Sequence, residues 1–243
     1  MPVNRTCDRL LDRRLFVAGL GVAGVGAWTS ACAGGCGDKD SQAHEQQEQQ
    51  EVTPSEDLMR EHGVLKRVLL VYDEAVRRID AREDLPPDTV ADSADIIRTF
   101  IEDYHEKLEE DSLFPRFEKA GKLTHLTKVL REQHQAGRRV TDRIRHLATA
   151  QTIQTPEFAV ELRTLLQQFT RMYAPHEARE DTVLFPALRT IVSGEEYAAL
   201  GEDFEKKEHQ LFGDDGFEKI VDRVAGIENR LGIYDLAQFT PKT

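Results

Sequence analysis

Apolar positions recur with the period of an α-helix from residue 53 to about residue 231, and no alternating strand pattern of any length interrupts them. The first stretch opens with Thr53, Pro54 and Glu56, which supply an N-cap, a first-turn proline and a capping-box glutamate. Its apolar line, spaced alternately by four and three residues, is Leu58, His62, Leu65, Leu69, Tyr72 and Val76. The pattern predicts a helix with a histidine on its buried face.

Three further stretches have the same helical period. A second helix begins after Pro86-Pro87 and is expected to bend or stop near Pro115; a third runs from about Lys122 to Ala150, and a fourth opens at Thr155-Pro156. Four helices of roughly 25 residues with short connections indicate an all-α, antiparallel up-down four-helix bundle over residues 54–192. The inward lines of the last three helices include Ile97, Ile101, His105 and Glu109; Leu130, His134, Gly137 and Thr141; and Leu162, Phe169, His176 and Glu180.

A fifth helix is predicted to start at the capping box beginning with Ser193 and to end at Gly213. A last helical stretch covers about Phe217 to Leu231 and is expected to pack across the bundle. Residues 193–232 therefore form a predicted C-terminal helical extension.

The first 32 residues have the features of a targeting segment. Arg13 and Arg14 precede an uncharged, glycine-rich stretch from Leu15 to Ala31, which is too short and too weakly apolar for a membrane span. The segment resembles a twin-arginine export signal, and such a signal implies a location in the periplasm or cell envelope. Lipid attachment at Cys32 is favoured, with ordinary signal cleavage near Ala33 as the alternative. Residues 33–53 are rich in Gly, Gln and Glu and are predicted to form a disordered tether.

Composition excludes some partners and some kinds of site. A net charge of −12 argues against nucleic acid, because phosphate neutralisation needs a basic surface. One local cluster of basic residues departs from this acidic balance and is predicted to lie on a solvated helix face. The cluster consists of Arg138, Arg139, Arg143 and Arg145. All three cysteines lie before residue 37, so the helical domain has neither a disulfide framework nor a thiolate metal site.

An internal repeat provides the main evidence on chemistry. Residues 105–115 read HEKLEEDSLFP, and residues 176–186 read HEAREDTVLFP without a gap. Each histidine and the glutamate four residues later share one helix face, so His105 with Glu109 and His176 with Glu180 form two pairs of candidate metal ligands. The repeat extends upstream, where Leu58–Val68 aligns with Leu130–Val140 and places His62 opposite His134.

Each half of the bundle is therefore predicted to be a helical hairpin with one histidine on its first helix and one His-x-x-x-Glu on its second. Burying the glutamates without a cation would cost several kcal/mol each, which favours a metal site over hydrogen-bonded core histidines. Imidazole and carboxylate ligands suit iron or manganese better than structural zinc. The candidate metal ligands are His62, His105, Glu109, His134, His176 and Glu180.

The order and spacing of these residues resemble the hemerythrin family, in its His-His-Glu cation-binding branch, over residues 55 to about 190. The resemblance implies a non-haem di-iron centre in which the four histidines are terminal ligands and Glu109 and Glu180 bridge two ions. Ferritin-like proteins instead use Glu-x-x-His on two helices, and this chain has that pattern once, at Glu102 and His105.

The oxygen-carrying hemerythrins have two histidines four residues apart on the third helix and a final His-x-x-x-x-Asp. Here Leu130 and Arg138 occupy the positions four residues from His134, and the last acid is Glu180. Net oxidation is therefore expected in place of reversible oxygen carriage. The predicted function is binding of, or reaction with, dioxygen, peroxide or nitric oxide; the alternatives are a dedicated oxidase or peroxidase and a metal store.

Several residues near the motifs are given other roles. Glu106 and Glu177, which lie about 100° round the helix from the neighbouring histidines, are expected beside the ligands or on the surface, although either could complete a metal shell. His209 is assigned a structural role or a role behind the ligands. His125 and His146 lie off the apolar lines and are expected to be exposed.

Overall fold

The computed structural model describes residues 52–242, all of whose regular structure is helical. The predicted export signal and nearly all of the predicted tether lie outside the described residues. Helix α1 spans Pro54–Ala81 and starts at the predicted capping box, in which Thr53 and Glu56 exchange hydrogen bonds. Helix α3 spans Thr124–Leu147, and a short helix, α4, spans Ala150–Gln154.

Helix α2 covers residues 87–120 and contains two π-helical segments, Ile97–His105 and Glu109–Leu113. The expected stop near Pro115 is wrong, because α2 continues to Ala120. In the wide turn before the proline, the Phe114 amide donates to the Glu109 carbonyl five residues back. That extra residue relieves the crowding that a proline ring causes within a regular α-helix.

Helix α5 covers residues 156–188. Like α2, it contains a π-helical segment just before its Phe-Pro pair, at Glu180–Leu184. Helices α1, α2, α3 and α5 pack in that order, and α1 closes the ring against α5. Their connections are short, as in an antiparallel up-down bundle. The all-α, four-helix architecture expected from the sequence is confirmed.

The C-terminal extension consists of α6 at Gly194–Phe212 and α7 at Gly216–Leu231. Helix α7 packs on α1 and α2, while α6 packs on α1 and α7. Phe204 and Val224 are fully buried and belong to the same apolar core as the four bundle helices. None of the helices in residues 52–242 is long and apolar enough to cross a membrane.

Candidate metal centre

Four imidazoles meet inside the bundle in two pairs. The Nε2 atoms of His62 and His105 lie 3.1 Å apart, and those of His134 and His176 lie 3.2 Å apart. None of the four residues is more than 4% exposed. The first hairpin, α1 with α2, supplies one pair, and the second hairpin, α3 with α5, supplies the other.

The two predicted bridging glutamates lie between the pairs. Glu180 Oε2 is 3.4 Å from His62 Nε2 and 3.2 Å from His176 Nε2. Glu109 Oε2 is 3.4 Å from His134 Nε2 and 3.9 Å from His105 Nε2. Each carboxylate therefore approaches one histidine from each hairpin, as a ligand shared by two ions must.

Each histidine is oriented by an acceptor at its other ring nitrogen. His62 Nδ1 lies 2.7 Å from Asp181, and His105 Nδ1 lies 2.7 Å from Glu61. His134 Nδ1 lies 3.1 Å from Glu110 Oε1, while His176 Nδ1 lies 2.9 Å from Gln133 Oε1. When every Nδ1–H is donated outward, each Nε2 presents a lone pair to the interior.

The Leu-Phe-Pro segments of the repeat provide aromatic walls. Phe185 of α5 stacks on the His62 ring at 5.4 Å, and Phe114 of α2 stacks on the His134 ring at 5.6 Å. Both phenylalanines are fully buried, and each directly follows a π-helical segment. A π-turn carries an extra residue, so it rotates the following side chains relative to those of a regular helix. The spacing shared by the two repeats thus places one phenylalanine ring against one candidate histidine ligand in each half.

Electrostatics at the centre favour positive charge between the carboxylates. Burial, followed by the charge of neighbouring Glu180, raises the pKa of Glu109 well above its ordinary value. Burial opposes ionisation of Glu180 as well, but the His176 and His62 rings hold its pKa well below the usual range. Burial also opposes protonation of His62, yet Asp181 and Glu180 outweigh it and raise the pKa of His62 to about 9.

The donor set of these residues fits a metal site. Both side chains are fully buried, and within the described residues none of the four carboxylate oxygens of Glu109 and Glu180 makes a hydrogen bond of good geometry. Adjacent ligands of an octahedral ion with bonds of about 2.1 Å lie about 3 Å apart, which matches the spacing within each Nε2 pair. Ligand atoms of Glu109, His134, His176 and Glu180 lie within 4.8 Å of one another, and so do those of His62, His105 and Glu109.

Four acceptors that position the ligands were not identified from the sequence. Glu110 and Asp181 each follow a repeated histidine by five residues, while Glu61 and Gln133 each precede an upstream histidine by one. The equivalent positions of these acceptors in the two repeats could therefore have identified them from the sequence. Their function depends on contacts between helices, since Glu110 of α2 reaches His134 of α3 and Asp181 of α5 reaches His62 of α1.

Glu106 and Glu177 are buried, so the surface alternative is wrong for both. Glu106 accepts a 2.6 Å hydrogen bond from the Tyr173 hydroxyl and pairs at 2.8 Å with Arg138. Arg138 also pairs at 2.9 Å with Glu110 and is only 24% exposed, so the predicted solvated face does not include it. Its position one turn from His134 lets it reach both acids of α2.

His209 does not lie behind the ligands, because it is 64% exposed and pairs at the surface with Asp214. The neighbouring Glu208 is the buried residue, and its carboxylate lies within 4.8 Å of Glu61. The C-terminal extension therefore reaches the layer of residues around the centre. Glu102 instead accepts from Thr141 and pairs with Arg98, while His125 and His146 are exposed as expected.

Comparison with known proteins agrees with this geometry. The sequence profile of the Hemerythrin HHE cation binding domain matches residues 53–188 and, in a second alignment, residues 125–239. The chain belongs to the hemerythrin HHE cation-binding family. The second alignment runs through α6 and α7, so similarity to this family extends into the C-terminal helices.

Relatives that match most of this hemerythrin-family chain occur in mycobacteria. Uncharacterized proteins of Mycobacterium bovis and Mycobacterium tuberculosis are each 49% identical over 231 residues, covering 94% of this chain and 90% of theirs. No solved structure matches the chain. The family supports a metal-binding role, and the two groups of buried histidines and glutamates are the residues suited to it.

Proposed function

We propose that the protein is a non-haem di-iron protein that reacts with dioxygen or a related small species such as peroxide or nitric oxide. The observation that carries the proposal is the placement of two buried carboxylates between two convergent Nε2 pairs. One ion would be held by His62 and His105, the other by His134 and His176, with Glu109 and Glu180 shared. Two ferrous ions held there would supply one electron each, which together would reduce dioxygen to the level of peroxide.

The surrounding residues have defined tasks in this proposal. The acceptors at the four Nδ1 atoms fix the tautomer and direction of each imidazole and make its Nε2 a better donor to a cation. Phe114 and Phe185 pack over ligand rings and exclude water from that side of the centre. A dry site strengthens the attraction between the carboxylates and a cation.

Net oxidation is favoured over reversible oxygen carriage. Leu130 is buried and apolar, and Arg138 is engaged by Glu106 and Glu110, so neither supplies the additional nitrogen of the oxygen carriers. Oxygen ligands would have to complete the coordination of bound ions, and such ligands stabilise the ferric state of iron.

Elemental analysis tests the number and sharing of the ions. Iron-replete protein is expected to contain two ions per chain, and Glu109→Ala or Glu180→Ala should lose both because each carboxylate serves both positions. Glu132→Ala is the control, since its side chain on α3 is 64% exposed. One ion in the native protein, or retention of one ion in either bridge variant, contradicts the proposed arrangement.

Optical spectroscopy tests the direction of the chemistry. Anaerobically reduced protein is mixed with oxygen in a stopped-flow instrument and then deoxygenated under argon. The proposal expects the irons to remain oxidised after deoxygenation. If the oxygenated spectrum persists for many minutes and reverts under argon to that of reduced iron, the protein is an oxygen carrier or store.

We further propose export through the twin-arginine route, with lipid attachment at Cys32. The support is the sequence of the first 32 residues, from the Arg13-Arg14 pair to the cysteine after the small residues Ser30 and Ala31. Changing both arginines to lysine should retain the protein in the cytoplasm. Cys32→Ala should release a membrane-associated protein into the soluble fraction, and unchanged fractionation would favour ordinary signal cleavage.

A further inference from the structure

The internal repeat relates the four Nδ1 acceptors to one another as two pairs of corresponding residues. In one of these pairs the two residues differ in charge. Asp181 at His62 corresponds to Glu110 at His134, and both are carboxylates. Glu61 at His105 corresponds to Gln133 at His176, where a neutral amide replaces the carboxylate. Three imidazoles therefore donate to a carboxylate, and the fourth donates to an amide oxygen.

Nearby cations increase the difference between the two halves. Arg138, which is 24% exposed, lies 2.9 Å from Glu110. Within the described residues, Glu110 is the sole carboxylate that accepts from an Nδ1 atom of the His134–His176 pair. Lys66, the repeat equivalent of Arg138, lies 3.1 Å from Asp181 and is 51% exposed. Solvent screens an exposed charge more than a partly buried one. Arg138 therefore weakens Glu110 as a hydrogen-bond acceptor for His134 more than Lys66 weakens Asp181 as an acceptor for His62.

We infer that the two metal positions are inequivalent, that the His62–His105 position binds a divalent cation more tightly and fills first, and that Gln133 is a positioning residue responsible for the difference. This inference rests on the proposed di-metal function. A carboxylate that accepts an Nδ1–H bond increases the basicity of the opposite Nε2, which an amide does less strongly. Changes in such acceptors alter metal affinity by about 10- to 100-fold.

Cobalt(II) is a suitable probe, because it gives visible absorption and moves the proton signals of its histidine ligands. Metal-free full-length protein is titrated with cobalt, and absorbance and the Nδ1–H resonances are followed together. We expect two binding phases separated by at least about tenfold. The first equivalent should shift the resonances of His62 and His105, and the second should shift those of His134 and His176.

Gln133→Glu should raise the cobalt affinity of the second phase by about tenfold or more and leave the affinity of the first phase unchanged. Gln135→Glu is the matched control, because it adds the same charge on the same helix at an exposed position, and it should leave both phases as in the native protein. Glu61→Gln should lower the cobalt affinity of the first phase, so that it approaches the affinity of the second. Circular dichroism of each metal-free variant separates a binding effect from a failure to fold.

The possible outcomes distinguish this inference from the proposed function. Protein that binds no cobalt refutes the metal centre and the inequivalence together. Two ions that bind in a single phase, or a first equivalent that shifts all four histidines equally, refute the inequivalence alone. An unchanged second phase in well-folded Gln133→Glu protein refutes the assigned role of Gln133.

Discussion

At the scale of single residues, the close approach of α3 and α5 depends on the absence of a side chain at Gly137. A Cβ atom built there would lie 2.0 Å from the Tyr173 hydroxyl oxygen. That hydroxyl donates to the buried Glu106, which in turn pairs with Arg138. The glycine thus allows an acid beside the centre to be satisfied by a tyrosine from the opposite helix.

Gly137→Ala should displace Tyr173 and lower the free energy of unfolding by about 1–3 kcal/mol, as overpacking of a core does. Gly226→Ala on α7 is the control, because its added Cβ meets nothing within 4 Å. The higher helix propensity of alanine should stabilise that variant by up to about 1 kcal/mol. Urea unfolding measures both, and equal stabilisation of the two would show that Tyr173 moves away without cost.

Burial of Glu102 predicts a second effect at this scale. Desolvation raises its pKa from 4.5 to about 7, although Thr141 and Arg98 oppose the change. Between these values the folded state retains a proton that the unfolded chain has lost, so stability falls as pH rises through this window. The contribution is about 3 kcal/mol at most, from 1.36 kcal/mol per pKa unit.

Glu102→Gln should reduce the loss of stability between pH 5 and pH 8, measured by urea unfolding of the metal-free protein. Glu132→Gln removes an exposed carboxylate of α3 and should keep the slope of the native protein. If both variants have the native slope, Glu102 ionises in the folded state as readily as in the unfolded chain.

At the scale of the helices, the π-turn after each bridging glutamate determines which residues face the centre. Helix α2 has its wide turn at Glu109–Leu113, and α5 has the equivalent turn at Glu180–Leu184. Asp111 lies within the first turn, and its side chain is 56% exposed. The extra residue in this turn, and not the Asp111 side chain, aligns Phe114 with His134.

Deletion of Asp111 should rotate the following part of α2 by about 100° relative to the preceding part. The protein should remain helical by far-ultraviolet circular dichroism but bind cobalt more weakly and unfold at a lower temperature, because Phe114 no longer faces His134. Asp111→Ala keeps the residue count and should behave as the native protein does. Native cobalt affinity in the deletion variant would show that the wide turn is dispensable.

At the scale of the whole molecule, the C-terminal helices complete the core of the bundle. Phe204 of α6 is fully buried in the common core, and Arg67 of α1 forms two hydrogen bonds with Glu228 of α7. Unfolding should therefore be a single transition that includes α6 and α7.

Phe204→Ala should lower the free energy of unfolding by about 3–5 kcal/mol, since it leaves a cavity in a shared core. Leu211→Ala on the same helix is the control, because Leu211 is 60% exposed and its loss should change stability by no more than about 0.5 kcal/mol. Two separate transitions in Phe204→Ala protein would instead indicate that the extension unfolds independently.

The sequence by itself determined the helices, their order and the set of candidate ligands. Periodic apolar positions require a buried face on each helix, and the internal repeat places His62, His105, His134 and His176 on those faces with Glu109 and Glu180 one turn on. These features depend on residue type and local spacing, which are fully contained in the chain.

Only the tertiary structure decided which groups meet across helices. Glu61 orients His105, Gln133 orients His176, and Arg138 satisfies Glu106, although none of these pairs is close in sequence. Such contacts depend on helix rotation and on the π-turns, which shift side chains by a fraction of a turn without changing the apolar period. The difference between Glu61 and Gln133 is therefore visible in the sequence as a difference between the two repeats, but which candidate ligand each one contacts follows only from the packing of the four helices.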